Sequence, residues 1–461
     1  MIAMNSQQLL ALFPQEVDVS MSFDFSGVET DSRKSCAGAL FIALRGEHFD
    51  AHDFLQQAQA QGAVAALVER RVAQLEIPQI VVEDTLQAMA RLANHWRHQV
   101  GTKVIAITGS NGKTTVKEML GRILQAQAKV LMTPGNFNNA IGVPLTLFGL
   151  SPEDRFAVIE MGANHRHEIE QLVAIADPDV VYVNNARAAH LEGFGSVQGV
   201  IQAKGEMYQS AGANSIAVFN EDEDAAKYWQ SICDSSQTLG FSLHLFADVM
   251  ATVIARDHGL QIEFEYQQDK ALTTLKVAGM HNAQNAAAAI TLALACGVDL
   301  SAACRALYGF SGVNGRQRFY PGLNDSTIID DSYNANPDSL AAAVQVLCEL
   351  DGEAWLALGD MAEMGDESLQ LHQQALQAAK KSGVEQVFAF GKMSCSAAQV
   401  FDQQGHCFES HDEMADYIAP RLHRSVNLLV KGSRSAQMEK IVSRLRSEPS
   451  NQQAAGVHHA V

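Results

Sequence analysis

The run Thr108-Gly-Ser-Asn-Gly-Lys-Thr-Thr115 has the residue types and spacing that hold nucleotide phosphates. Its glycines let backbone N–H groups turn inward around phosphate oxygens, Lys113 can reach the β- and γ-phosphates, and the Thr114 hydroxyl can ligate Mg²⁺. The general pattern has a further glycine where this chain carries Ile107. A strand-like run, Lys103-Val-Ile-Ala-Ile-Thr108, precedes the loop, and a helix with Val116, Met119, Leu120, Ile123 and Leu124 on one face follows it. That context is what the motif requires.

A phosphate loop needs a second carboxylate on the metal side, and Glu160 ends the apolar strand Phe156-Ala-Val-Ile-Glu160. Doubly wound sheets bind ligands beyond their carboxyl edge, so Glu160 is the candidate. His190 occupies the corresponding place after the Val180 to Val183 strand. Lys204, in Ala203-Lys-Gly-Glu206, reads on its own as an exposed helix lysine. Further on, Asp330-Asp-Ser-Tyr-Asn-Ala-Asn-Pro337, Gly359-Asp360 and Lys431-Gly-Ser-Arg434 each follow a strand candidate. Ordinary turn chemistry explains Asn, Asp, Gly and Ser there. It does not by itself explain Asp, Tyr, Lys and Arg clustering on one sheet edge.

The elements that position these residues fall into three α/β segments. The first runs to about Val100, with strands at Ala39 to Leu44 and Val64 to Val68, a helix capped by Asp53, and a helical stripe through Leu86, Met89, Ala90 and Ala93. The second carries the phosphate loop on an alternation of strands and helices that predicts a parallel sheet. An antiparallel meander from Ala251 to Val277 is appended, and an Ala-rich helix from Asn282 leads to a boundary at Val313-Asn-Gly315. The third segment repeats the alternation, and the tail from about Ser447 lacks any periodicity.

With 33 Lys+Arg against 52 Asp+Glu, the 461-residue chain has a formal charge of −19, which argues against nucleic acid as partner. Its longest apolar stretch, Ala286 to Val298, falls short of the ~18 residues that a membrane span needs. The first residues lack a basic region and cleavage site of a secretory signal. Seven cysteines without a C-x-x-C pair predict thiols in a reducing compartment. A cytoplasmic monomer with no membrane insertion is expected.

Taken in order, Gly109-Ser-Asn-Gly-Lys-Thr-Thr115, Glu160-Met-Gly162, His190, His281-Asn-Ala-Gln-Asn285, Gly315-Arg316 and Asp331-Ser-Tyr-Asn-Ala-Asn-Pro337 resemble the Mur ligases of peptidoglycan synthesis, over nearly the whole chain. Within that family, Asn136-Phe-Asn-Asn-Ala-Ile-Gly-Val-Pro144, the Asp330 to Pro337 run and Leu358-Gly-Asp-Met-Ala-Glu-Met-Gly365 are similar to the member that adds D-alanyl-D-alanine to UDP-N-acetylmuramoyl-tripeptide. The Asp-Asn-Pro-Arg signature of the diaminopimelate-adding member is absent.

The resemblance implies three domains. Residues 1–99 form a small α/β domain for the UDP-muramoyl peptide. Residues 100–313 form a central P-loop, parallel-sheet ATPase domain with the meander. Residues 314–461 form a Rossmann-like domain for the incoming amine. It also implies ATP and Mg²⁺, an acyl-phosphate intermediate, and closure of the third domain about Asn314-Gly315.

Among site residues, the resemblance implies Lys113, Glu160, His190 and Arg316 in catalysis. Thr114, Glu160, His190 and, if carbamylated, Lys204 would hold metal. Thr108, Gly109, Ser110, Asn111, Gly112, Lys113, Thr114, Thr115, Asn282, Asn285, Arg316, Asp331 and Tyr333 would surround ATP. Ser32, Arg33, Arg45 and Gly46 would serve the uridine diphosphate. Asn138, Asn139, Asn334 and Asn336 would serve the rest of the substrates. Other readings are another amide-forming relative, such as the diaminopimelate-adding enzyme or a folylpolyglutamate synthetase, a P-loop ATPase switch, and a silent binding protein with this fold.

Overall fold

Alternating apolar residues along the central strands divide between two cores. In the computed structural model, which describes residues 1–13, 22–46, 49–188, 191–255 and 259–447, Val104 and Ala106 enter one core while Ile105 and Ile107 enter the other. The pattern repeats with Ala157 and Ile159 against Phe156 and Val158, and with Val181 and Val183 against Val180 and Tyr182. Each strand is therefore buried on both faces, as a parallel sheet covered by helices requires.

The chain opens with an antiparallel pair, β1 (Ala3–Asn5) and β2 (Asp24–Ser26). A parallel sheet follows, in the order β3 (Val28–Glu29), β4 (Leu40–Ile42), β5 (Ala65–Val68), β6 (Gln79–Val81). The helical turn expected at Asp53 is capped instead by Asp50, whose carboxylate accepts from the His52 N–H at 2.9 Å.

The central sheet contains β7 (Lys103–Thr108), β8 (Val130–Met132), β9 (Phe156–Glu160), β10 (Val180–Val183), β11 (Ile216–Asn220), β12 (Gln237–Ser242) and the meander β13 (Val249–Ala255), β14 (Leu260–Tyr266), β15 (Asp269–Leu275). Its order is β15-β14-β13-β12-β11-β10-β7-β9-β8, parallel from β13 to β8 and antiparallel through the meander. Two of these strands lie outside those read from apolar runs. β8 is three residues at an edge, and β12 opens on the exposed Gln237 and Thr238.

The third sheet contains β16 (Arg318–Pro321), β17 (Thr327–Asp331), β18 (Glu353–Gly359), β19 (Gln386–Phe390), β20 (Gly405–Phe408) and β21 (Val426–Lys431), in the order β16-β17-β21-β18-β19-β20. Only the β16–β17 pair is antiparallel. Two separate cores cover its faces.

The first segment does not bury its core alone. One cluster runs from Ile2, Leu40 and Trp96 to Val104, Leu147 and Trp229. Ile2 N–H donates to Phe148 O at 2.6 Å and Trp96 Nε1 to Leu150 O at 3.2 Å. The helix Thr85–Val100 joins the two sheets. Its buried Arg97 donates to Ala176 O (3.0 Å), Asp177 O (2.6 Å) and the Asp179 carboxylate (2.9 Å).

The expectation of seven thiols is corrected at Cys395 and Cys407, which form a disulfide. The helix Lys392–Ala398, between β19 and β20, packs on β20 and sets the two Cα atoms 5.1 Å apart. The pair is 12 positions apart in sequence, a spacing that no short motif flags. Cys36, Cys233, Cys296, Cys304 and Cys348 are free. The cysteines therefore no longer argue for a reducing compartment. Among the described residues no helix is long and apolar enough to cross a membrane. The tail read as aperiodic lies, from residue 448 on, outside the described residues.

Arg97→Ala removes the three hydrogen bonds that this buried arginine makes to Ala176 O, Asp177 O and the partly exposed Asp179 carboxylate, and should cost about 1–3 kcal/mol of stability, measured by urea unfolding. A loss under about 0.5 kcal/mol, the usual range for surface changes, would show that Arg97 does not tie the two segments together.

Candidate active site

In the central sheet the chain leaves β7 for β8 and β9 on one side and returns to β10 on the other. This reversal opens a crevice at the carboxyl ends of β7, β9 and β10, the site open α/β sheets use for ligands. The phosphate loop follows β7, Glu160 ends β9, and Asn184 and Asn185 follow β10. A cleft of about 1010 Å³ lies there, and the carboxyl edge of the third sheet forms its opposite wall.

Gly112 caps the helix Lys113–Gln125 with φ +78°, a left-handed conformation open to glycine. A Cβ there would run into Asn184 Nδ2 and lie 2.7 Å from Asn285 Oδ1. Lys113 Nζ folds back on Gly109 O at 2.6 Å, so the loop's own carbonyls hold the ammonium where phosphate oxygens would take over. Its enclosed position pushes its pKa down; the neighbouring Glu160 opposes that shift and Arg316 adds to it. Thr108 sits under the loop, its hydroxyl donating to Met161 O at 2.8 Å.

The Thr114 hydroxyl donates to Glu160 Oε2 at 2.9 Å, and Asn138 Nδ2 donates to the other Glu160 oxygen at 2.9 Å. Thr133 fixes the strand end, accepting from the Glu160 N–H at 2.9 Å. A threonine hydroxyl beside a carboxylate, both oxygen donors, suits Mg²⁺, which takes one or two protein ligands and fills its shell with phosphate and water oxygens. No group of three or more His, Cys, Asp or Glu side chains placed to hold a metal exists among the described residues. His190 lies outside the described residues.

Lys204 departs from the exposed position its local sequence predicts. The helix Val197–Gln209 buries it to 1% exposure, under Ala163 O (3.5 Å) and 5.4 Å from the Phe194 ring centroid. Burial above all, with Lys113 nearby, lowers its pKa to about 7.

The third domain reaches across the cleft. Arg316 Nη2 donates to the Thr114 hydroxyl at 3.1 Å while its guanidinium lies 4.3 Å from the Tyr333 ring centroid. Asn336 caps the helix Pro337–Cys348 and donates to Asn111 Oδ1 at 2.9 Å. Asp331 is buried against Lys431 Nζ at 2.5 Å, and the same ammonium holds Asn334 O at 3.0 Å. Asn285 accepts from Asn184 at 3.2 Å, and Asn282 donates to Ala278 O at 2.7 Å.

Ser110, Asn111, Thr115, Asn139 and Asn334 also line this cleft. Ser32, Arg33, Arg45 and Gly46 do not. Ser32 bonds Gln57 (3.2 Å), the exposed Arg33 forks onto Asp31, and Arg45 bridges to Asp50 through its backbone.

Cleft residues outside the sequence reading include Asn184, Asn185, Arg187 and Glu223. Asn184 and Asn185 both donate to Asn111 O, and Asn185 accepts the Asn111 N–H. Arg187 N–H donates to the Ser110 hydroxyl, and its guanidinium forks onto the buried Glu223 at 2.5 and 2.7 Å. The strand-end rule that located Glu160 also points to Asn184 and Asn185. Nothing local marks Glu223.

A phosphate loop on one sheet, faced by a second sheet that sends an arginine to it, defines a nucleotide-dependent enzyme assembled by two domains. Residues 24–97 match the Mur ligase family catalytic domain, 107–293 the Mur ligase middle domain, and 315–434 the Mur ligase glutamate ligase domain. The chain belongs to the Mur ligase family.

It is 41% identical over 450 residues to the UDP-N-acetylmuramoyl-tripeptide–D-alanyl-D-alanine ligase of Escherichia coli K12, covering 97% of this chain and 99% of that one. MurF of Acinetobacter baumannii superposes with a TM-score of 0.89 at 35% identity, over 96% of this chain and 98% of that one. MurF of Thermotoga maritima, solved with ADP, superposes with a TM-score of 0.80 at 25% identity, over 91% and 96%.

Gly112→Ala should weaken ATP binding roughly 5- to 150-fold, a change of about 1–3 kcal/mol for a side chain forced into a left-handed position. Titration with a fluorescent ATP analogue reads it, and an unchanged affinity would mean the loop can relax around the new methyl group.

Proposed function

We propose that this chain joins D-alanyl-D-alanine to UDP-N-acetylmuramoyl-tripeptide at the expense of ATP, giving the UDP-muramoyl-pentapeptide precursor of peptidoglycan. The observation that carries the reading is the contact of Arg316 with Thr114 across the cleft, which puts both domains on one phosphate site. The relatives covering nearly the whole chain support the choice of substrates.

A carboxylate and an amine do not condense at neutral pH because the carboxylate is a poor electrophile with a poor leaving group. The terminal carboxylate of the tripeptide attacks the γ-phosphorus, ADP departs, and an acyl phosphate forms. The dipeptide amine then adds to the acyl carbon, and inorganic phosphate leaves as the tetrahedral intermediate collapses. Two anions must meet in the first step. Lys113 and Arg316 approach them from opposite walls and offset the repulsion, so the protein acts through position and electrostatics. Thr114 and Glu160, with His190, would hold Mg²⁺, which supplies further positive charge at the phosphates.

The remaining roles are assigned on the same reading. Residues 1–99 take the UDP-muramoyl peptide, 100–313 the ATP and 314–461 the amine. Asn282 and Asn285 face adenine, Asp331 and Tyr333 the nucleoside. Ser32, Arg33, Arg45 and Gly46 serve the uridine diphosphate, and Asn138 and Asn139 the muramoyl peptide. Asn334 and Asn336 border the same cleft. One chain supplies both walls, which supports a monomer, and its nucleotide substrates support a place in the cytoplasm.

Lys204, buried with a pKa of about 7, offers a neutral amine that CO₂ converts to a carbamate, a carboxylate-like group that would join Thr114, Glu160 and His190 as a metal ligand. With ¹³C-bicarbonate, a carbamate resonance should appear in the wild type and vanish in Lys204→Arg. A resonance that survives the substitution places the modification elsewhere.

Mass spectrometry of the product from UDP-N-acetylmuramoyl-tripeptide, ATP and D-alanyl-D-alanine tests the main assignment. A pentapeptide product with matching phosphate release is expected. Phosphate release that needs no amine would favour an ATPase switch, and a product formed only with diaminopimelate or glutamate would favour another ligase.

A further inference from the structure

The ligase reading brings in a dipeptide whose far end is a carboxylate. A carboxylate carried into an enclosed cleft loses hydration that a cation must replace. Among the described residues, five lysines and arginines line the cleft: Lys113, Arg187, Arg316, Lys431 and Arg434. Four are committed. Lys113 and Arg316 stand at the phosphate site. Arg187 forks onto Glu223. Lys431 is buried to 2% exposure between Asp331 and Asn334 O.

Arg434 differs from these four. Its side chain is 63% exposed, and its one hydrogen bond runs from Nη1 to Glu439 Oε1 at 2.8 Å. Glu439 begins the helix Glu439–Leu445 and steadies the guanidinium from one side. The Nε–Nη2 edge faces away from that contact and offers the two parallel donors that a carboxylate accepts in a fork. Position agrees with chemistry. Arg434 follows β21, which lies between β17 and β18, so it stands at the middle of the third domain's carboxyl edge. From the loop after β18, Ala362, Glu363 and Met364 line the same cleft, and the methyl groups of a dipeptide of alanine can rest on the apolar surface of Ala362 and Met364.

We propose that Arg434 binds the terminal carboxylate of the incoming dipeptide and so makes the enzyme select a dipeptide acid as its amine substrate. This rests on the ligase reading above. The reaction leaves that carboxylate unchanged, so removing it affects recognition and not the chemistry of bond formation.

The test compares kcat/KM for D-alanyl-D-alanine and for its C-terminal amide, in the wild type, Arg434→Ala and Arg434→Lys. The wild type should prefer the acid roughly 10- to 100-fold, the range of a charge-assisted hydrogen bond. Arg434→Ala should lose most of that preference through a higher KM for the acid, with KM for ATP and UDP-tripeptide within about twofold and an unchanged melting temperature, as for an exposed side chain. Arg434→Lys should recover part of the preference. A wild type indifferent to the amide, or an Arg434→Ala variant that keeps the preference, overturns the assignment. If the wild type releases no phosphate with the dipeptide, the ligase reading itself fails, and that result appears before any variant is made.

Discussion

Two parallel sheets meet carboxyl edge to carboxyl edge, and the cleft between them has to hold phosphates in a chain whose formal charge is −19. Net charge repels such ligands at long range, so the attraction must be local. Lys113 comes from the end of β7, Arg316 from the linker before β16, and Lys431 and Arg434 from the end of β21. Carboxylates that hold donors of the cleft are equally placed. Glu160 receives Thr114, Glu223 receives Arg187, and Asp331 receives Lys431. Each carboxylate fixes a donor in the geometry a ligand would meet, which saves reorganisation when charge develops.

The second layer of this arrangement is amide chemistry. Asn111, at the tip of the phosphate loop, is held by Asn184 and Asn185 from the central domain and by Asn336 from the third. Amides donate and accept without adding charge, so they can brace a loop beside phosphates and leave its electrostatics unchanged. The same network explains why glycine stands at 112. Asn184 and Asn285 close over it so tightly that a Cβ there would have to displace their amide groups.

The sequence made the phosphate loop legible because its chemistry is contiguous. The strand, the loop and the helix with Val116, Met119, Leu120, Ile123 and Leu124 stand in one stretch, and all five of these apolar residues are buried. Glu160 was accessible through its place at a strand end. Lys204 was not, since its burial depends on how the helix Val197–Gln209 lies against Phe194 and Ala163, which are distant in periodicity terms from the lysine itself. The Arg187–Glu223 fork and the Cys395–Cys407 disulfide join residues 36 and 12 positions apart, and only the assembled sheets bring them together. The shared core of the first two segments escaped for the same reason. Each segment has the length and composition of an independent unit, and only the packing of the helix Thr85–Val100 shows that they are covered together.

The linker between the second and third domains shows where motion is allowed. Expectation put a hinge near Asn314-Gly315, and both of these residues are tied to the third domain. Gly315 N–H donates to Asp330 at 3.1 Å and its carbonyl accepts from Tyr333 N–H at 3.1 Å, while Asn314 accepts from the Tyr320 hydroxyl at 3.2 Å. Val313 is held by Arg316 N–H at 3.0 Å. On the other side, Phe310 O accepts from Lys276 N–H at 2.7 Å, and Arg122 grips Ala306 O and Tyr308 O, all within the central domain. Only Ser311 and Gly312 lie between the two sets of ties, and Gly312, at φ +89°, already uses the freedom that glycine alone has. Val313 itself packs against the central core, so a rotation of the third domain that keeps these bonds would turn within residues 311–313. Such a rotation carries Arg316 and Arg434 together, because both stand on the same side of the pivot. The charge that meets the phosphates and the charge assigned to the dipeptide therefore arrive in one movement.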